Sequence, residues 1–152
     1  GFGAMGAISP DYLVQDGVIP SSRLPEVLKR INEISEEFGL RIANIFHAGD
    51  GNLHPLVLFD ARITGESERA LEAGSLCLQV CAEVGGTITG EHGVGIEKIE
   101  EMSFVFTDEE IMAQTEIRQV FNPKNLLNAG KLFPSPGRCI EVKKEIAAAA
   151  SK

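Results

Sequence analysis

The clearest structural signal in the chain is Arg41-Ile42-Ala43-Asn44-Ile45-Phe46-His47-Ala48-Gly49-Asp50-Gly51-Asn52-Leu53-His54-Pro55-Leu56-Val57-Leu58-Phe59-Asp60. Two β-rich runs, 41–47 and 53–60, stand on either side of Asp50-Gly51, a dipeptide typical of the two-residue type I′ turn. The stretch is therefore predicted to fold as an antiparallel β-hairpin.

Helices are predicted on both sides of this hairpin. Apolar residues recur at helical spacing from about 24 to 38 and from about 66 to 83, and glycine follows each run. A third helix of about 13 residues is predicted to begin at Asp108 and to end at Asn122-Pro123.

Two further strands complete the order of elements. Residues 12–20 are predicted to form a strand that leaves through a turn, and residues 87–89 a short strand. The order strand, helix, strand, strand, helix, strand indicates an α+β fold, a ferredoxin-like antiparallel sheet with helices on one face. A C-terminal helical segment and an irregular tail are expected to follow.

Composition limits the classes of function. The 152 residues, 43% of them hydrophobic and 24% charged, are typical of one folded domain. The net charge of −8, without a basic stripe, argues against nucleic acid as a partner.

No apolar run approaches the roughly 20 residues that span a bilayer, and no signal peptide begins the chain, so the expected location is cytoplasmic and not integral to a membrane. Among three cysteines there is no Cys-x-x-Cys pair, and Cys77 and Cys81 are expected to be small core residues.

The hairpin carries two of the three histidines. If Asp50 and Gly51 are the turn residues, His47 pairs with His54 across the strands, and Ile45 pairs with Leu56. Opposed residues have Cβ atoms about 4.5 to 5.5 Å apart, close enough for both imidazoles to bind one ion at about 2.0 to 2.1 Å. The alternative is a pair of surface histidines beside a turn, and the pairing favours a metal site.

A second cluster, residues 85–95, places an acid beside the third histidine. Glu91 can complete a His/His/Glu ligand set of the type used by catalytic zinc sites, and His92 can act as a general base. In a regular strand the two side chains would point to opposite faces, so the flanking glycines must allow the chain to bend. The alternative is a glycine-rich connection with an incidental histidine.

Taken together, the two clusters are recognisable. His-Ala-Gly-Asp-Gly-Asn-Leu-His-Pro at 47–55 and Gly-Gly-Thr-Ile-Thr-Gly-Glu-His-Gly-Val-Gly at 85–95 resemble the C-terminal domain of FAD-linked oxidases of the vanillyl-alcohol oxidase superfamily. The resemblance extends through residues 16–20, 23–28 and 121–131. It implies a substrate- and metal-binding cap domain at residues 1–137, a C-terminal tail at 138–152, and an FAD-binding domain outside this chain.

The resemblance also implies an activity, that of a flavin-dependent 2-hydroxy-acid dehydrogenase of the glycolate or D-lactate type. By resemblance, a divalent ion, typically zinc, is bound by His47, His54 and Glu91. His92 is the implied base that removes the proton of the substrate hydroxyl while a hydride passes to FAD. The segment 121–131 is implied to pack toward the flavin, with Asn128 and Lys131 near the cofactor.

The implied partners are a small 2-hydroxy acid, the N-terminal FAD domain of the same protein, and other oxidase subunits or an electron-transfer protein. Such subunits would hold the protein at the membrane periphery. Without the FAD domain, the apolar surface that this domain would cover is exposed, and a homodimer is therefore predicted. Because the implied FAD-binding domain lies outside this chain and no Gly-x-Gly-x-x-Gly motif here replaces it, the isolated chain is expected to be inactive.

Two other classes of function remain open from the residues. One is a non-catalytic metal-binding or dimerising module. The other is a freestanding metal hydrolase in which His92 activates water, although the sequence suggests neither a nucleophile nor a phosphate cradle.

Overall fold

The computed structural model describes residues 2–134, and the predicted tail, 138–152, lies outside the described residues. The helices and strands are α1 Phe2–Gly6, β1 Asp11–Val14, β2 Gly17–Val18, α2 Leu24–Phe38, β3 Arg41–His47, β4 Asn52–Phe59, α3 Glu66–Glu83 and α4 Asp108–Phe121, with 3₁₀ helices at Ser21–Arg23 and Glu100–Phe104. The three long helices confirm the sequence prediction, whereas the short α1 was not predicted. In residues 2–134, no helix combines the length and apolar character needed to cross a membrane.

The sheet is antiparallel and centred on β4. β3 pairs with one edge of β4, and β1 and β2 pair one after the other with its other edge. Thr87 forms an isolated antiparallel bridge with Val18, on the far side of β2. This arrangement confirms the predicted α+β fold.

The predicted strand at 87–89 is reduced to that single bridge. Gly86 approaches β2 so closely that a Cβ there would lie 1.9 Å from the Val18 carbonyl oxygen. From Gly90 onward the backbone N–H groups bond to a side chain instead of a strand. The chain therefore leaves the sheet after one pair.

The core lies between the sheet and the two helices α2 and α3, which pack on each other and on the strands. From α2, Val27, Ile31 and Ile34 are fully buried. α3 contributes mostly small side chains together with Leu78, and Cys77 and Cys81 are buried as predicted. Burial raises the pKa of both thiols to about 12, so they are neutral core residues.

The β3–β4 hairpin has a different register from the predicted one. His47 pairs with Asn52, and Ile45 pairs with His54, so residues 48–51 form a four-residue connection. The predicted pairs His47–His54 and Ile45–Leu56 are therefore wrong. The His47 carbonyl closes the connection by accepting the N–H groups of Asp50 and Gly51, both at 3.1 Å.

The neighbouring strand explains the longer connection. The Gly51 carbonyl accepts the Ile19 N–H at 2.9 Å, and a Cβ on Gly51 would lie 2.0 Å from the Ile19 carbonyl oxygen. Gly51 therefore packs against the chain beyond β2 and is not an exposed turn residue. Because the register differs by two residues, every side chain keeps its predicted face, and His47 and His54 become diagonal neighbours.

Candidate metal and base site

The predicted ligands come from two strands and one loop. His47 is the last residue of β3, His54 lies in β4, and Glu91 lies in the loop after the Thr87 bridge. His47 Nε2 is 3.6 Å from Glu91 Oε1, and His54 Nε2 is 3.5 Å from Glu91 Oε2. One donor atom from each residue lies within 4.8 Å of the other two. The fold therefore brings the three side chains together.

The spacing of these atoms fits a small divalent ion. Tetrahedral ligands at about 2.0 to 2.1 Å from zinc lie about 3.3 Å from one another. The two nitrogen–oxygen separations, which end on different oxygens of Glu91, are close to that value and longer than a charge-assisted hydrogen bond of about 2.7 to 2.9 Å. The rings of His47 and His54 are nearly perpendicular, at 88° with centroids 5.7 Å apart. Two nitrogens and one carboxylate oxygen are also a donor set that zinc accepts.

The bend that the sequence required at Glu91 and His92 is present. Asp16 Oδ2 accepts the backbone N–H groups of Gly90, Glu91 and His92 at 2.9, 3.0 and 2.9 Å, and the Thr89 hydroxyl at 2.8 Å. Three successive N–H groups on one oxygen curl the chain around it, as in an anion-binding nest. Both Glu91 and His92 can therefore reach the histidines of the hairpin.

His92 is exposed and lies against His54. Their ring centroids are 5.1 Å apart, and the planes differ by 15°. Asp16, His54 and His92 also present donor atoms within 4.8 Å of one another. However, the lone pairs of nearly parallel, stacked imidazoles do not converge on one point, so this second group suits a single ion less well than His47, His54 and Glu91.

Comparison with known proteins shows the family of the chain. Residues 2–132 match the sequence profile described as FAD linked oxidases, C-terminal domain. The chain belongs to this family. The family predicted from the sequence is confirmed.

Several curated relatives contain this FAD-linked oxidase domain as part of a longer chain. Glycolate oxidase subunit GlcD of Escherichia coli is 51% identical over 140 residues, which are 92% of this chain and 28% of the relative. The subunit of the same name from Bacillus subtilis is 37% identical, covering 89% of this chain and 29% of its own length. D-lactate dehydrogenase of Archaeoglobus fulgidus is 38% identical, and the match covers 78% of this chain and 26% of the relative's length. The chain thus spans less than a third of the length of these relatives.

Sequence reasoning missed two buried charges of the FAD-linked oxidase domain, Asp16 and Lys98. Asp16 is fully buried and Lys98 is 4% exposed, with Nζ 3.7 Å from Asp16 Oδ2. Burial by itself would raise the pKa of Asp16, but the hydrogen bonds from residues 89–92 outweigh it and hold that pKa well below its usual value. Burial lowers the pKa of Lys98, and the Asp16 charge opposes that shift. An acid inside the apolar run 12–19 was the available signal for Asp16, and nothing in the sequence marks Lys98.

A third missed residue of the domain is Asn52, the partner of His47 in the hairpin. Its side chain is 5% exposed and lies against Gly90, where a Cβ would come within 3.1 Å of it. Within the described part of the chain its Oδ1 has no hydrogen-bond partner. Asn52 therefore forms part of the wall between the hairpin and the Glu91 loop.

The two residues predicted near a cofactor lie on the loop after α4. Asn128 and Lys131 are exposed, and the Arg118 guanidinium donates to the carbonyl oxygens of both, at 2.8 Å. The Leu132 N–H donates to the Gly95 carbonyl at 2.8 Å. This bond links the loop to the glycine-rich segment that carries Glu91 and His92, although the loop lies outside the histidine cluster itself.

Proposed function

We propose that this chain is the substrate- and metal-binding domain of a flavin-dependent 2-hydroxy-acid dehydrogenase, with residues 1–137 as the cap domain and FAD bound mainly by another part of the same protein. Family membership supports the flavin-linked chemistry, and the relatives named for glycolate oxidase and D-lactate dehydrogenase support the substrate class. The observation that carries the proposal is the convergence of His47, His54 and Glu91, with His92 stacked beside them.

In this proposal His47, His54 and Glu91 hold a divalent ion, with zinc as the best match to the donor set. A bound ion would supply Lewis acidity and a template for the hydroxyl and carboxylate oxygens of the substrate. Three protein ligands are the usual number in catalytic zinc sites, in which a further coordination position stays open.

His92 is the proposed base. Oxidation of a 2-hydroxy acid to a 2-oxo acid removes a proton from the hydroxyl and a hydride from the α-carbon. The imidazole of His92 would accept the proton on a ring nitrogen, and its exposure would allow release of that proton to solvent. Contact with the His54 ring restricts its orientation. The hydride would pass to FAD, which Asn128 and Lys131 are proposed to approach from the C-terminal loop.

A chimera tests this function. The segment of this chain that matches the Escherichia coli glycolate oxidase subunit over 140 residues would replace its counterpart there, and oxidation of glycolate and D-lactate would be followed with a dye acceptor. The flavin- and zinc-loaded chimera is expected to oxidise one or both acids. His92→Ala in the chimera should lower turnover by roughly 10² to 10⁴ fold, the range that loss of a general base produces, while zinc is retained.

The unmodified relative serves as the control for assembly and assay. A chimera that holds flavin and zinc but oxidises no 2-hydroxy acid would favour the non-catalytic module instead. Hydrolysis of ester or phosphate substrates by the zinc-loaded chain, lost in His92→Ala, would favour the hydrolase.

A further inference from the structure

The two oxygens of the buried Asp16 carboxylate have different surroundings. Oδ2 accepts four hydrogen bonds from residues 89–92. Oδ1 lies 3.8 Å from Nδ1 of His54. Within residues 2–134 neither Asp16 Oδ1 nor His54 Nδ1 has a hydrogen-bond partner, although both atoms are buried. An unpaired buried donor and acceptor that face each other are unfavourable, so a small ring rotation that joins them is favoured.

Only one proton position allows that contact. An ionised carboxylate accepts and does not donate, so the proton between the two groups must be carried by Nδ1 of His54. When the ring carries a single proton, Nε2 is then unprotonated, and Nε2 is the atom that faces Glu91 Oε2 at 3.5 Å. A histidine that binds a metal usually donates its other ring N–H to a carboxylate or carbonyl in this way.

We propose that Asp16 is the positioning residue of the site: Oδ1 holds His54 in the Nδ1–H form with Nε2 free, and Oδ2 fixes the backbone that carries Glu91 and His92. One carboxylate thereby fixes the position of the His54 ring on β4 relative to the loop that carries Glu91 and His92. This inference rests on the proposed function, because it assigns His54 Nε2 and Glu91 as ligands.

Lys98 is a buried cation beside the same carboxylate. Its Nζ donates to the Ile88 carbonyl at 3.1 Å and to the Asp16 carbonyl at 3.4 Å, and lies near Asp16 Oδ2. Lys98 therefore compensates the buried charge, and Oδ1, which has no hydrogen-bond partner in the described residues, stays available to His54.

Asp16→Asn is a sharp test because the amide can take only one orientation. Four donors meet at the Oδ2 position, so the amide oxygen must lie there and the amide N–H₂ must point at His54. His54 Nδ1 would then accept a hydrogen bond, which moves the ring proton to Nε2 and blocks the ligand atom. The protonation of each ring nitrogen can be read without metal, from long-range ¹H–¹⁵N NMR spectra of the 152-residue chain.

The expected result is the Nδ1–H form of His54 in the wild-type chain and the Nε2–H form in Asp16→Asn. Zinc affinity, measured by competition with a chromophoric chelator, should fall about 10- to 100-fold in the variant, as it does when partners of metal-binding histidines are lost.

Glu101→Gln is the matched control. This buried carboxylate also has one oxygen bonded, at 2.8 Å to the Ser75 hydroxyl, and one without a partner in the described residues. It should leave the tautomer and zinc affinity unchanged.

If Asp16→Asn does not fold, the double variant Asp16→Asn/Lys98→Met removes both buried charges and is read in the same way. The Nε2–H form in the wild-type chain, or an unchanged tautomer in the folded variant, would overturn the role of Asp16. Zinc affinity within about twofold of wild type would also overturn it. Failure of the wild-type chain to bind zinc would count against the proposed function instead, and the metal-free tautomer would still decide on Asp16.

Discussion

His47 and His54 meet diagonally across the hairpin, with ring centroids 5.7 Å apart and planes at 88°. The two residues differ in their surroundings, since the His47 side chain is 56% exposed and that of His54 is 9% exposed. One ring is therefore held by the fold, and the other can move toward it. The Glu91 side chain is also exposed, at 52%, so His47 and Glu91 are the two side chains that would move toward His54 in the proposed metal site.

The first prediction separates ligands from base by zinc affinity. Replacement of His47, His54 or Glu91 by Ala should lower zinc affinity at least about tenfold, because ligands of one ion are energetically linked. His92→Ala should bind zinc as the wild type does, because its ring stacks on His54 and does not converge with it. Isothermal titration of zinc into the four variants measures this, with unfolding midpoints as the control for folding. Loss of binding in His92→Ala together with retention in His54→Ala would reverse the assignment.

The second prediction concerns two glycines in the same connection. Gly51 has φ 73°, and a Cβ there would collide with the Ile19 carbonyl, whereas Gly49 has open space around it. Gly51→Ala should lower the free energy of unfolding by at least about 2 kcal/mol, since it combines a left-handed backbone with a backbone clash. Gly49→Ala should change it by less than about 0.5 kcal/mol. Urea unfolding compares the two, and equal effects would contradict the observed register.

The parts of the fold that could be predicted were those set by local patterns. The α2 and α3 helices have apolar periodicity and a glycine at or near the end, and the faces of the hairpin follow from the alternation of its residues. The hairpin register could not be predicted, because it depends on the contact of Gly51 with the chain beyond β2. Asp50-Gly51 favours a short turn locally, and the tertiary contact overrides it.

The residues of the candidate site likewise include some that could be predicted from the sequence and some that could not. His47, His54, Glu91 and His92 are polar residues in glycine-rich surroundings, so their grouping could be predicted. Asp16 acts on residues more than 70 positions away in the sequence, through backbone N–H groups that no side-chain pattern reports. Lys98 is likewise recognisable only once the Asp16 charge is known to be buried beside it.

The third prediction is that the purified 152-residue chain is colourless. Asn128 and Lys131 lie on the loop after α4, and the cleft that Lys131 lines there, of about 240 Å³, is smaller than the roughly 300 to 1,000 Å³ typical of ligand pockets. The chain should therefore neither retain flavin nor oxidise glycolate or D-lactate. Absorbance between 350 and 500 nm and a dye-reduction assay measure this, and a stoichiometric flavin spectrum from the chain alone would contradict it.

The fourth prediction is that the chain associates with itself through the end of α4 and the loop after it. No residue of α4 is buried within the described structure, and the exposed fractions are 76% for Val120, 80% for Phe121 and 77% for Leu126. Large apolar side chains exposed to this degree favour a contact that removes them from water. Light scattering should show an average mass above 16.4 kDa that rises with protein concentration.

Charge placed in this surface should prevent that association. Phe121→Glu is expected to shift the mass toward the monomer, because an unpaired carboxylate in an apolar contact loses its hydration. Ile63→Glu is the matched control, since Ile63 is also exposed, at 51%, but lies between β4 and α3. It should leave the association unchanged. If the wild-type chain remained a monomer at millimolar concentration, or if the two variants behaved alike, the end of α4 would not be the contact surface.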